Sequence, residues 1–239
     1  MTAPATRVPV FARSDAGKLV SRALIGYFRA TLENAALIPS DGPALLVSNH
    51  AAFGLDSFVL AALVLRDAGR YPRFLVEREL ARLLPIRLFF SLVEVLPGNR
   101  ETAVEALGRG ELVGVYPGGI DESLKLSRDR HRLKWGARTG FAEVAVRSGA
   151  PVVPIAGIGV DDMYSVVARE PWVGRRLLGS PRYDLPIAFG AYGTPLPRRT
   201  TIRFVVCPPL RAAGGGEDAI RELRSLTYAA IDAHLAAAR

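Results

Sequence analysis

The sequence predicts an α/β protein with a mixed, partly parallel central sheet flanked by helices. Three observations carry that prediction. Short apolar runs bounded by Gly or Pro turns, such as ALLVS (44–48) and PVVPIAGI (151–158), read as buried strands. Segments of helical periodicity alternate with them, which is the order that builds a sheet covered by helices. The length, 239 residues at 49% hydrophobic and 23% charged, suits one domain with a sizeable core and excludes a largely disordered or collagen-like chain.

Taken in order, Leu19, Val20, Leu24, Ile25 and Phe28 recur at helical spacing, with Arg22 and Arg29 between them. The spacing predicts an amphipathic helix over 17–33. Gly42-Pro43 opens the strand ALLVS, which ends at Asn49 and His50. Asp56-Ser57 at one end and Gly69 at the other punctuate a helix. YPRFLV (71–76) reads as a strand, 77–95 as a helix kinked near Pro85, 102–109 as a short helix and ELVGVY (111–116) as a strand stopped by Pro117-Gly118-Gly119. Residues 140–148 form a helix closed by Gly149, followed by the strand at 151–158. Further strands are expected at 187–191 and 201–206, then a Gly214-Gly215-Gly216 hinge and a last helix over 217–237. No internal repeat divides the chain. It reads as a single domain over 1–239, with a core at about 42–209, an N-terminal helical region at 1–41 and the helix at 214–239 after the hinge.

One cysteine, Cys207, excludes an internal disulfide framework and any Cys-rich metal site, and its place before Pro208-Pro209 suits a small packed hydrophobe. The net charge of +8 favours an anionic partner: nucleic acid, a lipid headgroup surface, or a phosphorylated or CoA-type ligand. Scattered basic residues and the lack of a reader motif count against nucleic acid. No stretch reaches the roughly 18 apolar residues of a spanning helix, and the N-terminus has no secretory apolar core, so the expectation is a cytoplasmic protein attached peripherally to the inner face of the membrane. The stretch 81–96, with Arg82 and Arg87 among apolar residues, reads either as ordinary core or as an interfacial segment for anionic lipid.

Three histidines narrow the search for chemistry. His234 lies in the last helix and His131 in the charged run SRDRHRLKW. His50 ends an apolar strand and precedes a helix. Held in that turn, its imidazole can donate one N–H to Asp56 and keep its other nitrogen as a base. The competing reading makes Asp56 a helix N-cap and His50 a packed turn residue. Pro117-Gly118-Gly119 after a strand is either a plain turn or a place where backbone amides face an anion. It is neither a Walker loop nor a dinucleotide fingerprint, and no GxSxG elbow is present. Arg100 in LPGNRETA is available to a phosphate if it shares a face with His50.

Taken together and in order, these pieces resemble the glycerolipid acyltransferase superfamily, which includes the lysophosphatidate acyltransferases. SNHAAFGLD is similar to its first motif, LPGNR to the second, VYPGGIDES to the third and GAPVVPIAGIG to the fourth, so the likeness runs from about Gly42 to Pro209. The stretch KWGARTGFAEVAVRSGAPVVPIAGIGVDDMY is closest in pattern to the diacylglycerol acyltransferase and phytyl ester synthase branch. The resemblance implies an O-acyltransferase that takes a fatty acyl group from acyl-CoA or an acyl carrier protein thioester to a lipid hydroxyl, without metal or other cofactor. It implies His50 as base with Asp56 as its orienting carboxylate, and acceptor contacts at Arg100, Pro117, Asp121 and Glu122. Amides at Gly118 and Gly119 would hold the oxyanion. Two departures stand out. The His-to-Asp gap is one residue longer than the commonest spacing. Asp121-Glu122 stands where the third motif often carries Arg, which disfavours a phosphate dianion and favours a lysophospholipid, an acylglycerol or a long-chain alcohol. A non-catalytic lipid-binding protein and an acyl thioesterase or lipid hydrolase remain as alternatives.

Overall fold

The computed structural model describes residues 8–77, 94–170 and 185–239. The expected helix at 77–95, its kink at Pro85 and the membrane segment 81–96 fall almost wholly outside these residues.

The chain starts with α1 (Val10–Arg13) and α2 (Asp15–Tyr27). Ser14 caps α2 by accepting the Gly17 N–H on its hydroxyl at 3.1 Å. This helix stops six residues before the expected Glu33. Arg29 takes a positive φ of 44°, the Ala30 N–H folds back to the Ile25 carbonyl at 2.9 Å, and Thr31–Glu33 becomes strand β1. The reason is tertiary: β1 lies parallel to β9 (Arg203–Val206), and Phe28 and Thr31 exchange backbone hydrogen bonds with Ile202. Pairing with a distant strand outweighs local helical periodicity.

The remaining elements are β2 (Ala44–Ser48), α3 (Leu55–Ala68), β3 (Arg73–Val76), β4 (Leu96–Pro97), α4 (Arg100–Gly108), β5 (Leu112–Val115), α5 (Gly119–Ser123), α6 (Gly140–Ser148), β6 (Val152–Ile158), β7 (Ser165–Glu170), β8 (Leu185–Phe189) and α7 (Gly216–Ala236). Seven strands make one sheet in the order β1-β9-β6-β2-β5-β3-β4, parallel throughout except for the antiparallel pair β6–β9. The mixed, partly parallel sheet is therefore observed. β7 and β8 pair separately as an antiparallel ribbon. β8 was expected as a strand at 187–191, but β7 was not expected, because MYSVVARE carries no clean alternation or turn signal.

β2 is buried at all five positions, as a central parallel strand covered on both faces must be. Its side chains alternate between two cores. Leu46 joins Val153, Ile155 and Phe204 beneath α2 and α3. Leu45 and Val47 point the other way, with Val113, Val152 and Val205, against α4, α6 and α7. Because β2, β5, β3 and β4 run parallel, the turns after them all emerge at one sheet edge. That edge carries His50, Gly118, Glu77 and Arg100, where ligands bind in open α/β sheets.

Candidate active site

The turn between β2 and α3 holds the first pair. His50 Nδ1 lies 2.9 Å from Asp56 Oδ2, which also receives the Ala51 N–H at 3.3 Å. A carboxylate only accepts, so Nδ1 carries the hydrogen and Nε2 keeps its lone pair. Asp56 does not cap α3. Gly54, at φ 71°, is the N-cap residue, and Asp56 sits in the first turn, fully buried, with its carboxylate turned back to the loop. Phe53 (φ 64°) and Gly54 both adopt left-handed backbone, and these two consecutive reversals let six residues fold tightly enough to join His50 to Asp56.

The imidazole is 17% exposed and lies flat against Tyr116, with ring centroids 4.1 Å apart and planes within 16°. Tyr116 stacks in turn on Phe74 at 5.3 Å. Burial, the largest influence on His50, disfavours its cation. The charge and hydrogen bond of Asp56, helped by the charge of Glu122, outweigh it, so the pKa stands above its ordinary 6.5.

Behind the imidazole lies a buried polar layer. Glu122 is inaccessible to solvent and accepts the His50 N–H on Oε1 at 3.0 Å and the Lys134 N–H on Oε2 at 3.1 Å. Burial pushes its pKa up, against the opposing charge of Lys125. Lys125 pairs with Asp161 at 2.9 Å, both almost fully buried, and Asp161 also accepts the His131 N–H at 2.8 Å. Asn49 clamps β2 to β6, donating to the Gly157 carbonyl at 2.9 Å and accepting the Gly157 N–H at 2.7 Å. None of these supports was assigned from the sequence. The available signal was physical: a polar residue at the end of an apolar run, or four residues after a glycine in a short helix, must find a buried partner.

The other expected residues divide. Glu122, expected as an acceptor contact, has no solvent exposure and belongs to the buried layer, both carboxylate oxygens holding backbone N–H groups. Asp121 is on the surface, bound closely by Arg138 and lying 3.9 Å from Arg169. The charge on that carboxylate is therefore balanced, and the two acidic residues do not form a repulsive pair toward solvent. The Gly119 N–H is engaged by the Tyr116 carbonyl at 3.0 Å, so it is not a donor for an oxyanion in this conformation. Gly118 has no room for a side chain: a Cβ there would lie 2.1 Å from Glu122 Oε2. Pro117 is buried just before it.

Arg100 opens α4 at the same sheet edge and pairs with Glu143 of α6 at 3.1 Å. Two strands intervene between the turns that carry Arg100 and His50, a separation of roughly 14 Å at about 4.8 Å per strand. His131 lies in the loop packed on Asp161 through its backbone N–H, and His234 near the end of α7. Cys207 is buried and reduced. Among the described residues, no group of three or more His, Cys, Asp and Glu side chains has the geometry of a metal site, and no helix is long and apolar enough to cross a membrane.

A family model described as Acyltransferase matches residues 29–157. The chain is 34% identical over 118 residues (49% of its length and 36% of the relative's) to the human protein named DGAT1/2-independent enzyme synthesizing storage lipids. The mouse protein of that name is 28% identical over 202 residues, 81% of this chain and 57% of the relative. An uncharacterized protein of Mycobacterium tuberculosis is 31% identical over 192 residues, 74% of this chain and 51% of the relative. The chain thus spans between about a third and just over half the length of the curated relatives named. Among solved structures, the 1-acyl-sn-glycerophosphate acyltransferase PlsC from Thermotoga maritima matches with a TM-score of 0.60 at 16% identity, covering 94% of this chain and 82% of that one, which is a likeness of fold.

Proposed function

The chain belongs to the Acyltransferase family, within the glycerolipid acyltransferase superfamily, and from that premise we propose that it transfers a fatty acyl group from a thioester to the hydroxyl of a lipid, with His50 as general base. The observation that carries the proposal is the tie between His50 Nδ1 and Asp56 at 2.9 Å, at the sheet edge where the turns converge. It leaves Nε2 as the free base and gives the imidazolium that forms a fixed counter-charge.

The proposed reaction needs no covalent enzyme intermediate. Nε2 takes the proton of the acceptor hydroxyl as its oxygen attacks the thioester carbonyl. Backbone donors around Gly118 stabilise the resulting oxyanion. Collapse breaks the C–S bond, and His50 returns the proton to the departing thiolate. The ester and the free thiol leave, and the base is regenerated. No cofactor enters the scheme; acyl-CoA or an acyl carrier protein thioester is the donor substrate.

For the acceptor we propose a neutral or zwitterionic lipid: an acylglycerol, a long-chain alcohol or a lysophospholipid. Asp121 supports this, because it already occupies Arg138 and Arg169 at the motif position where the resemblance leads one to expect a cation. Relatives named for storage-lipid synthesis agree with it. Such acceptors reside in membranes, so peripheral contact with an anionic lipid surface, favoured by the net charge of +8, is part of the proposal.

The test is thiol release from a long-chain acyl-CoA, with and without these acceptors, in wild type and His50→Ala. Acceptor-dependent release lost in the variant supports transfer. Acceptor-independent release identifies a thioesterase. A folded wild type that releases no thiol from acyl-CoA or from an acyl carrier protein thioester sinks the proposal in favour of a lipid-binding protein.

A further inference from the structure

Exposed apolar side chains form a broken belt on segments that contact one another in turn, from the His50 turn to the loop 190–198, β8 and α2. Phe53, three residues from the imidazole, is 58% exposed and meets Tyr164 edge-on at 4.9 Å. Met163, beside Tyr164, accepts the Arg198 N–H on its carbonyl at 2.8 Å, which anchors the loop 190–198 here. That loop closes tightly on itself through Gly190 to Thr194 and Ala191 to Leu196. Its fold thrusts Tyr192, fully exposed at a positive φ of 53°, and Leu196, 67% exposed, into solvent. The belt continues onto β8, where Ile187 and Phe189 lie on the same face, with Val167 of β7 also exposed.

On its other flank the belt reaches α2. Tyr27 ends that helix and donates its hydroxyl to the Pro197 carbonyl at 2.7 Å. α2 packs Leu24 and Ile25 on the core, while Leu19, Val20 and Tyr27 form an exposed stripe about 100° wide that borders the Leu24 side. At 100° per residue, Arg22 falls on one flank of that stripe, about 60° beyond Leu19. Arg29 and Arg199 are also exposed, beside Tyr27 and beside the 190–198 loop. Solvated apolar surface of this extent, framed by cations and bearing tyrosines, has the make-up of a bilayer-interface contact.

We propose that this belt, centred on the 190–198 loop, the outward face of β8 and the exposed stripe of α2, is the surface by which the protein sits on an anionic bilayer. Tyr192 and Leu196 enter the acyl boundary and the flanking Arg22, Arg29 and Arg199 side chains meet the lipid phosphates. Lying on that surface brings Phe53, and with it the His50 turn, to the interface where a water-insoluble acceptor is found. That consequence rests on the proposed transfer reaction; the docking surface itself does not.

The experiment is co-sedimentation with vesicles of phosphatidylglycerol and phosphatidylcholine in equal parts, alongside thiol release from a short-chain, water-soluble acyl thioester in the absence of membrane. The triple variant Ile187→Thr, Tyr192→Asn, Leu196→Ser is compared with wild type and with Leu226→Ser. Leu226 is exposed on α7, across the sheet from the belt. Each apolar side chain withdrawn from the acyl boundary removes about tenfold in partition. The triple variant is therefore expected to lose vesicle binding by more than tenfold while keeping its circular dichroism and its turnover of the soluble thioester, and Leu226→Ser is expected to bind as wild type does. Equal binding by all three proteins overturns the proposal. So does a wild-type dimer that the triple variant dissolves, because the belt is then an interface between copies. If wild type binds and the triple variant does not, but neither turns over any thioester, the docking surface stands and the acyl-transfer reading fails.

Discussion

Glu122 and His50 are joined through the backbone: a carboxylate with no solvent exposure accepts the amide N–H of the proposed base at 3.0 Å and, with its other oxygen, the Lys134 N–H at 3.1 Å. The side chain of His50 is thus oriented by Asp56 and its main chain by Glu122. Two acids fix one residue from opposite directions, and the charge of each favours the imidazolium.

Glu122→Ala leaves two buried N–H groups without acceptors, at about 1–3 kcal/mol each, so we expect unfolding free energy to fall by roughly 2–6 kcal/mol. Glu122→Gln keeps one acceptor oxygen but sets an NH2 against the second amide, and is expected to be intermediate. Urea unfolding of the two variants measures this. If Glu122→Ala is as stable as wild type, the buried layer does not hold the His50 turn.

The second prediction concerns pH. His50 must be neutral to act as a base, and its pKa stands above 6.5, so kcat/KM should rise with pH along a limb whose midpoint lies above that value. Asp56→Asn removes the charge that opposes burial and replaces the charge-assisted hydrogen bond with at most a neutral one. The midpoint should then move to lower pH while the plateau falls on the order of 10⁴-fold, as the tautomer is no longer enforced. A pH-rate profile of both proteins reads the two effects separately. A midpoint that moves up in the variant would contradict the assigned cause.

The same raised pKa carries a stability consequence of opposite pH sense. A group that binds its proton more tightly in the folded state stabilises the fold fully below its unfolded pKa, near 6.5, and that contribution disappears as pH rises through the folded value. The melting temperature of wild type should therefore exceed that of His50→Gln by more at about pH 6 than at about pH 9. Differential scanning calorimetry at both pH values provides the comparison. A gap that widens with pH would mean that the His50–Asp56 pair is not the source.

Much of this architecture is legible in the sequence because parallel strands buried on both faces leave continuous apolar runs: 44–48, 112–115 and 152–158 all stand out. Helix α6 is bounded as expected because Gly149 supplies its left-handed end. The strands that escape notice are short or depend on distant partners. Thr31–Glu33 exists through β9, and Leu96–Pro97 through β3. At the site, His50 and Asp56 are legible because a six-residue turn can bring them together. Glu122 is not, because the reason for its burial, two backbone amides 72 and 12 residues away, has no local trace. The paired charge on Asp121 is hidden for the same reason, since Arg138 and Arg169 arrive from other segments.

Gly118 and Gly119 separate space from backbone conformation. Ala at 118 drives a Cβ to 2.1 Å from Glu122 Oε2 and 2.3 Å from its Cβ, so the carboxylate that supports His50 must move. Ala at 119 meets nothing closer than Glu77 Oε1 at 3.4 Å and carries only the strain of φ 50°, about 1–2 kcal/mol. Gly118→Ala should therefore lose activity more than Gly119→Ala even where their melting temperatures are matched by a stabilising osmolyte. Equal activity in the two would detach the Gly118–Glu122 contact from the chemistry.

The last prediction turns on Asp121. Its ion pairs are partly exposed, so breaking them costs under about 1 kcal/mol of stability and should leave the melting temperature nearly unchanged. Selectivity is where the change should register. Asp121→Asn takes a negative charge from beside Arg138 and Arg169, leaving that surface one unit more positive toward an approaching anion. Through an effective dielectric near 20, a unit charge about 8 Å away is worth on the order of 2 kcal/mol before salt screening, and several-fold in affinity after it. We therefore expect the KM for a lysophosphatidate acceptor to fall several-fold while kcat with a monoacylglycerol stays constant. Raised salt should erode the gain, since it depends on long-range charge and not on a new contact. If the ratio of the two acceptors is the same in wild type and variant, the pairing of Asp121 with Arg138 and Arg169 has no part in acceptor choice, and the preference for a neutral lipid must come from the shape of the site.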